Sequence, residues 1–123
     1  DAQLRLEGSG FDSRQYALKA IKRYIPDVTR LLPNYPNPFN PETWIPFELT
    51  QAADVTVRVY GPDGAVVRTL ALGYRAEGYY TSIGDAAYWD GRNESGEAVA
   101  SGVYLYELRA GDYRAMRRMV ILK

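Results

Sequence analysis

The chain has 123 residues, enough for one compact domain and a short appendage. Hydrophobic residues make up 46% and charged residues 24%, which are ordinary globular values and exclude general disorder. Lys+Arg and Asp+Glu both total 15, so net charge gives no reason to expect nucleic acid or an anionic membrane as partner. Cysteine and histidine are absent, which removes disulfides, thiolates and the commonest general base. We therefore predict a protein that is not an enzyme and binds no cofactor or metal.

The first residues suggest that the sequence is part of a longer polypeptide. The chain begins at Asp1 without a methionine or a signal-peptide pattern. Residues 1–11 are ambiguous, and they could be the tail of an upstream domain. The longest apolar run is far shorter than the roughly 20 residues that a membrane-spanning helix needs. We therefore expect no membrane span in the chain.

One helix is predicted before the main domain. Asp12 suits the N-cap, and Gln15 stands at capping-box spacing after it. Apolar residues then recur at intervals of three and four, at Leu18, Ile21 and Ile25. Because Pro26 stops this pattern, we predict a short α-helix over 13–25, which would pack its apolar stripe on an unidentified partner.

A proline-rich segment, Tyr35–Thr43, divides the chain. Its prolines fix φ and remove three backbone donors, at Pro36, Pro38 and Pro41. Asn37 and Asn40 are suited to turns, and Phe39 is expected to fill one end of the following domain. We predict an N-terminal segment over 1–32, whose last residues from Pro26 form a linker, and a β-domain over 33–123.

Strand signals alternate with turn signals after this segment. The first predicted strand is Thr43–Leu49, and the strands 53–60 and 65–71 form a hairpin around Gly61–Gly64. Shorter strands are predicted at 78–82 and 86–89, and two long ones at Gly102–Ala110 and Tyr113–Lys123. The core is expected to include Phe47, Val57, Trp89 and Tyr104. The fold class is therefore mainly β: an immunoglobulin-like antiparallel sandwich of about seven strands, preceded by one short α-helix.

Acidic residues near the predicted Trp89-Asp90-Gly91 turn are candidates for a sugar-binding or metal-binding site. Asp90 beside Trp89 could serve a sugar site, but a turn in which Asp90 accepts backbone hydrogen bonds is the favoured interpretation. Four carboxylates cluster here in the sequence: Asp85, Asp90, Glu94 and Glu97. Their spacing matches no known metal-ligand pattern, so a solvated loop is expected, with weak calcium binding as the alternative.

Tyrosine and arginine are the remaining candidates for a partner surface. Three tyrosines, with Tyr88 near them, could form a surface that contacts glycan or protein, but strand and loop packing is the favoured interpretation; they are Tyr74, Tyr79 and Tyr80. Four arginines crowd the final hairpin, at Arg109, Arg114, Arg117 and Arg118. They could bind phosphate or lipopolysaccharide, or they could discourage strand pairing at an exposed edge.

An ordered set of motifs carries a family resemblance over about 33–123. It comprises Tyr35-Pro36-Asn37-Pro38-Phe39-Asn40-Pro41-Glu42-Thr43, Val57-Arg58-Val59-Tyr60, Trp89-Asp90-Gly91-Arg92, Ala100-Ser101-Gly102-Val103-Tyr104-Leu105-Tyr106 and Met119-Val120-Ile121-Leu122-Lys123. This set resembles the C-terminal secretion and sorting domains of type IX (Por) secretion system substrates. Those domains are related to the immunoglobulin-like domain of flagellar hook-capping proteins.

The resemblance implies a sorting and anchoring module of an exported bacterial protein, at the cell surface or outside the cell. Its partners would be the outer-membrane secretion machinery or a cell-surface component, with the cargo upstream in the same polypeptide. The resemblance places the sorting signal in the last strands, at Gly102, Val103, Tyr104, Met119, Val120, Ile121, Leu122 and Lys123. Cleavage, where it occurs, would fall in the Pro26–Pro33 region. The alternative is an accessory binding or spacer module that uses the tyrosine-rich loops.

Overall fold

Two hairpins of alternating sequence build one layer of the domain. In the computed structural model, which describes residues 25–123, these strands are β4 (Ala53–Tyr60), β5 (Val66–Arg75), β8 (Gly102–Ala110) and β9 (Tyr113–Ile121). They form an antiparallel sheet of order β5-β4-β8-β9. The valines at alternate positions of β4 are buried, as period-two alternation requires when one face of a sheet is solvated.

Shorter strands build the facing layer. One sheet has the order β1-β3-β6 and another pairs β2 with β7. These strands are β1 (Arg30–Leu31), β2 (Thr43–Ile45), β3 (Phe47–Leu49), β6 (Gly78–Tyr80) and β7 (Ala87–Trp89). A single buried cluster joins residues of both layers, so the core lies between them. This arrangement confirms the prediction of a mainly β, antiparallel fold.

The strand count differs from the prediction for two reasons. Pro46 divides the predicted strand Thr43–Leu49 into β2 and β3, because proline has no N–H to donate to a ladder. Its carbonyl instead accepts a hydrogen bond from the N–H of Leu32 at 3.0 Å. The two residues before Leu32, Arg30–Leu31, form β1 within the predicted linker, and Leu31 is buried in the core. The described residues therefore contain nine strands.

Most predicted boundaries agree with the structure within a few residues. The strand predicted at Gly102–Ala110 is β8, and the one predicted at 65–71 continues as β5 to Arg75. The turn glycine Gly64 has φ of 85°. The expected core residues Phe47, Val57, Trp89 and Tyr104 are all buried. The helix predicted over 13–25 lies outside the described residues except for Ile25.

Candidate functional site

The proline-rich segment lies along the end of β9. The N–H of Phe39 donates to the carbonyl of Val120 at 3.0 Å, and the N–H of Leu122 donates to the carbonyl of Phe39 at 3.1 Å. The N–H of Val120 donates to Oδ1 of Asn37 at 3.0 Å. Phe39 and Ile121 thus form a parallel bridge. The proline-rich segment and the last strand lie near opposite ends of the domain sequence, and in the structure they form one surface.

Three aromatic rings support this surface from inside. The buried ring of Phe39 meets Trp89 edge-on, with centroids 5.8 Å apart, and Trp89 meets Tyr104 in the same way at 6.0 Å. Edge-to-face contacts of this kind add to the free energy of simple area burial. The indole N–H of Trp89 donates to the carbonyl of Arg92 at 2.9 Å, so its polar atom is satisfied. The expectation that Phe39 fills one end of the sandwich agrees with this position.

The Trp-Asp-Gly turn closes the same end. Oδ1 of Asp90 accepts hydrogen bonds from the N–H of Arg92 at 3.0 Å and from the guanidinium of Arg68 at 2.9 Å. Gly91 has φ of 76°, and a Cβ there would lie 2.3 Å from the carbonyl oxygen of Pro41. Only glycine fits a backbone that passes so close to the proline-rich segment. Asp90 therefore has the turn geometry that its sequence context favours.

A shallow cavity opens between these elements. Its volume is about 240 Å³, and it is lined by Pro41, Tyr88, Asp90, Gly91, Arg92, Ala98, Ile121 and Lys123. Ligand pockets for drug-sized molecules are larger, about 300–1,000 Å³, so this cavity suits a single side chain of a partner. Its lining combines two cations with the carboxylate of Asp90, which already contacts Arg68. We call this cavity and the adjoining ends of β8 and β9 the terminal site.

The residues to which the resemblance assigns the sorting signal divide by exposure. Tyr104, Met119 and Ile121 are buried in the core, whereas Gly102 and Val120 are half-buried. The exposed ones are Val103, Leu122 and Lys123, with 64% of Leu122 accessible. The N–H of Lys123 also donates to Oγ of Ser101 at 3.0 Å. A protein that binds the folded domain here can reach only the exposed subset.

The structure does not bring the three predicted surface tyrosines together. Tyr74 is 70% exposed on β5, in the four-stranded layer, and Tyr79 is 45% exposed on β6, in the facing layer. The ring of Tyr80 instead stacks on Phe47, with centroids 4.9 Å apart and planes 9° from parallel. Burial raises the pKa of the Tyr80 hydroxyl. Tyr80 is thus a packing residue.

A different aromatic row lies across the proline-rich segment, β2 and β7. Trp44 stands between Tyr35, at 6.3 Å, and Tyr88, at 5.4 Å between ring centroids. The Tyr88 hydroxyl donates to Oε1 of Glu42 at 2.6 Å, and this hydrogen bond raises the Tyr88 pKa. This row was not predictable from the sequence, because cross-strand neighbours depend on register, which a single sequence does not give. We call these three residues the aromatic row.

The carboxylates that were candidate metal ligands each have a separate partner. Asp85 accepts from Ser82 in the loop between β6 and β7, and Glu97 accepts from Asn93 in the loop between β7 and β8. Glu94 accepts from the N–H of Thr69 on β5 at 2.6 Å. Among residues 25–123 no group of three or more acidic, His or Cys side chains is placed to hold a metal ion.

The four arginines of the last hairpin also differ in their contacts. Nε of Arg109 bonds Glu107 at 3.0 Å, and Nε of Arg117 donates to the carbonyl of Leu31 at 2.9 Å. Arg114 and Arg118 are exposed. In the part of the chain that the structure describes, no helix is long and apolar enough to cross a membrane.

Comparison with solved structures relates the fold to domains of two larger proteins of Porphyromonas gingivalis. Dimeric latent PorU is similar over 79% of this chain, with a TM-score of 0.55 and 19% identity. PorZ, described as an essential bacterial surface component of the type-IX secretion system, is similar over 79% of this chain, with a TM-score of 0.51 and 18% identity. The matched regions are 9% of the PorU chain and 12% of the PorZ chain. At this level of identity the similarity shows a shared fold.

Comparison of the sequence with family models gives the family itself. The model of the FlgD Ig-like domain matches residues 39–113, from Phe39 of the proline-rich segment to the first residue of β9. No curated protein matches the chain significantly. Because the match spans more than half of the chain, this protein belongs to the FlgD Ig-like domain family.

Proposed function

We propose that this domain is a non-enzymatic sorting and anchoring module of an exported bacterial protein. Outer-membrane secretion machinery would bind it at the terminal site, with the cargo attached on the N-terminal side of the same polypeptide. The location would be the cell surface or the extracellular space. Two observations support this: the ordered motifs that resemble type IX sorting domains, and the similar fold of domains in PorU and PorZ.

The observation that carries the proposal is the joining of the proline-rich segment to the end of β9. Phe39 and Asn37 together make three hydrogen bonds with Val120 and Leu122. These contacts hold the last residues in a fixed position while Leu122 and Lys123 remain exposed. A fixed and exposed segment at the end of a strand is a suitable feature for recognition, because little conformational entropy is lost when a partner binds it.

The experiment uses substitutions that leave the core intact. Deleting Met119–Lys123 would remove buried Met119 and Ile121, so a sorting defect could reflect unfolding. The sharper variant is Leu122→Glu with Lys123→Glu, which alters exposed side chains of the terminal site. Ile83→Glu is the matched control, since Ile83 is equally exposed in the loop between β6 and β7.

We expect the double variant to reduce the surface amount of the full-length protein in its native host, and to leave its folding unchanged. Surface labelling and quantitative blotting measure the amount, and circular dichroism of the purified domain checks the fold. The control should reach the surface normally. Normal surface levels for both the double variant and the Met119–Lys123 deletion would refute the sorting role.

The aromatic row supports a second candidate, an accessory module that binds glycan. Sugar rings pack on aromatic faces, and Trp44 and Tyr88 form such a face beside the carboxylate of Glu42. Trp44→Ala should then abolish binding on a glycan array, whereas Tyr74→Ala should not, because Tyr74 lies on the other layer. If the wild-type domain retains no glycan, the row serves only to stabilise the sheet.

A further inference from the structure

The edge of β9 has two parts. At its C-terminal end, the N–H and C=O of Val120 and the N–H of Leu122 point away from β8 and bond Asn37 and Phe39. Backbone groups of neighbouring residues in a strand point to opposite sides, so outward groups recur at every second residue. The outward groups of the earlier part therefore belong to Arg114, Met116 and Arg118. Within residues 25–123, no backbone or side-chain group bonds to them.

The opposite edge of the same sheet is covered near the start of β5. Along β5, the carbonyl of Val67 accepts from the N–H of Glu94 at 3.2 Å. The N–H of Thr69 donates to the Glu94 side chain at 2.6 Å. The loop that follows β7 thus satisfies part of this edge. In the part of the chain that the structure describes, the outward groups of Arg114, Met116 and Arg118 have no such partner, although native proteins usually cover or pair exposed edges.

Side chains along the open part of the edge have a definite chemistry. Arg114, Met116 and Arg118 lie on the face of the sheet opposite to buried Met119 and Ile121, and all three are exposed, Met116 by 50%. The pattern is cation, apolar, cation on one face. The only carboxylate directly across from this run belongs to Glu107, which pairs with Met116. Glu107 is buried, and its carboxylate bonds Tyr60 and Arg109. The exposed face of this edge is therefore positively charged in a chain of zero net charge.

This charge pattern decides between possible occupants. A second copy of β9 paired antiparallel about Met116 would place Arg114 opposite Arg118 at both ends. Parallel pairing in register would also align like charges, and like charges directly opposite destabilise a sheet. A strand with acidic residues at those two positions and an apolar residue between them gives favourable pairs at all three.

We propose that the Arg114–Arg118 edge of β9 binds an extended acidic segment of a partner protein, which adds as a fifth strand to the four-stranded sheet. The segment would have the pattern acidic, any, apolar, any, acidic, with these side chains on the outer face. Backbone hydrogen bonds would supply the affinity and the two arginines the specificity, as in other strand-addition complexes. This inference does not depend on the sorting role of the terminal site.

The test uses the complete chain and a short blocked peptide, Thr-Glu-Thr-Val-Thr-Glu-Thr. A peptide with Lys in place of both Glu residues is the charge control. We expect calorimetry to show the acidic peptide binding at least about tenfold more tightly than the control. Hydrogen exchange should slow at the amides of Arg114, Met116 and Arg118 when the acidic peptide is bound. The amides of Ala115 and Arg117 should change little, since they already bond β8.

Two variants separate strand addition from simple charge attraction. Met116→Pro removes one outward N–H without breaking the ladder to β8, so binding should fall at least about tenfold, whereas Met116→Ala should keep it. Arg114→Glu with Arg118→Glu should reverse the preference toward the Lys peptide. The proposal is overturned if the two peptides bind equally or neither binds. It is also overturned if the three outward amides already exchange slowly in the free protein, because the edge is then covered.

Discussion

The two parts of β9 pair with the same strand and yet meet different surroundings. From Met119 to Ile121 the strand is covered by the proline-rich segment, and both end residues are buried. From Arg114 to Arg118 the outward backbone groups have no partner among the described residues, although the Arg117 side chain donates to the carbonyl of Leu31, and the outer side chains are exposed. The difference lies in what stands beside the strand and not in its pairing with β8, which is continuous.

This comparison assigns a structural task to the proline-rich segment. Prolines cannot donate to a ladder, so a proline-rich stretch is a poor strand. Here Phe39 alone supplies the backbone donor and acceptor that meet β9, and Asn37 adds a side-chain acceptor. The segment covers a short length of edge and cannot extend further along it. Coverage therefore ends where the arginines begin.

The largest effect should come from removing the ring that anchors the covered part. Phe39→Ala would leave a cavity against Trp89 and should lower the free energy of unfolding by about 3–5 kcal/mol. Urea unfolding measures this change. Val66→Ala, at a side chain 49% exposed, is the control and should stay within about 0.5 kcal/mol of wild type. A loss below about 1 kcal/mol for Phe39→Ala would mean that the ring does not hold the segment in place.

A pair of glycines isolates the contact between the Trp-Asp-Gly turn and the segment. Gly91 and Gly96 have similar φ, 76° and 84°, but a Cβ at Gly96 meets nothing within 4 Å. Gly96→Ala should therefore show only the cost of positive φ, about 1 kcal/mol. Gly91→Ala adds the clash with Pro41 and should cost roughly 2–4 kcal/mol. Equal losses in thermal unfolding of the two variants would show that the segment moves aside freely.

The sequence predicted the position and the buried side of a strand where only one face of that strand is buried. The alternation Val55, Val57 and Val59 predicted β4 and its buried side, and the turn before Val66 predicted the hairpin. The separate positions of Tyr74 and Tyr79 were not predictable, because they follow from which sheet each strand joins. Partners across a sheet are distant in the chain, and their register leaves no local signal.

The two residues of β1 and the open edge were missed for a related reason. Arg30–Leu31 is too short to show a period, and its partner strand β3, where Arg30 also forms a salt bridge with Glu48 at 2.9 Å, lies well downstream in the chain. The proline pattern predicted a rigid segment, but not that this segment would lie on β9. The composition of an edge is visible in the sequence; whether anything covers it is not.

A buried tyrosine tests how the facing layer is tied to the middle of β8. The Tyr106 hydroxyl donates to the carbonyl of Leu32 at 2.9 Å and accepts from the N–H of Asn34 at 3.0 Å. Tyr106→Phe leaves two backbone groups without this partner and should cost about 1–3 kcal/mol in urea unfolding. Its effect should exceed that of losing any hydrogen bond at the exposed surface.

The same residue predicts a pH dependence. Burial raises the pKa of Tyr106 above its ordinary value of 10.0, although the Asn34 N–H acts in the opposite direction. The folded state therefore holds this proton more tightly than the unfolded chain does. The corresponding stability is complete below pH 10 and is lost as the pH rises further. Since other tyrosines also have raised pKa values, the measurement is the difference between Tyr106→Phe and wild type, which should shrink above pH 10. A constant difference would contradict the role of this hydroxyl.

The smallest effect concerns a single hydrogen bond that separates covered from open edge. Asn37→Ala removes the acceptor of the Val120 N–H at an exposed position, so stability should fall by only about 0.5–1.5 kcal/mol. Hydrogen exchange is the more telling measurement. The amide of Val120 should become as fast as those of Arg114, Met116 and Arg118, while the amides of Met119 and Ile121 stay slow because they bond β8. If Val120 remains protected, the backbone of Phe39 is sufficient to cover the edge, and the asparagine between the two prolines serves only to set the turn.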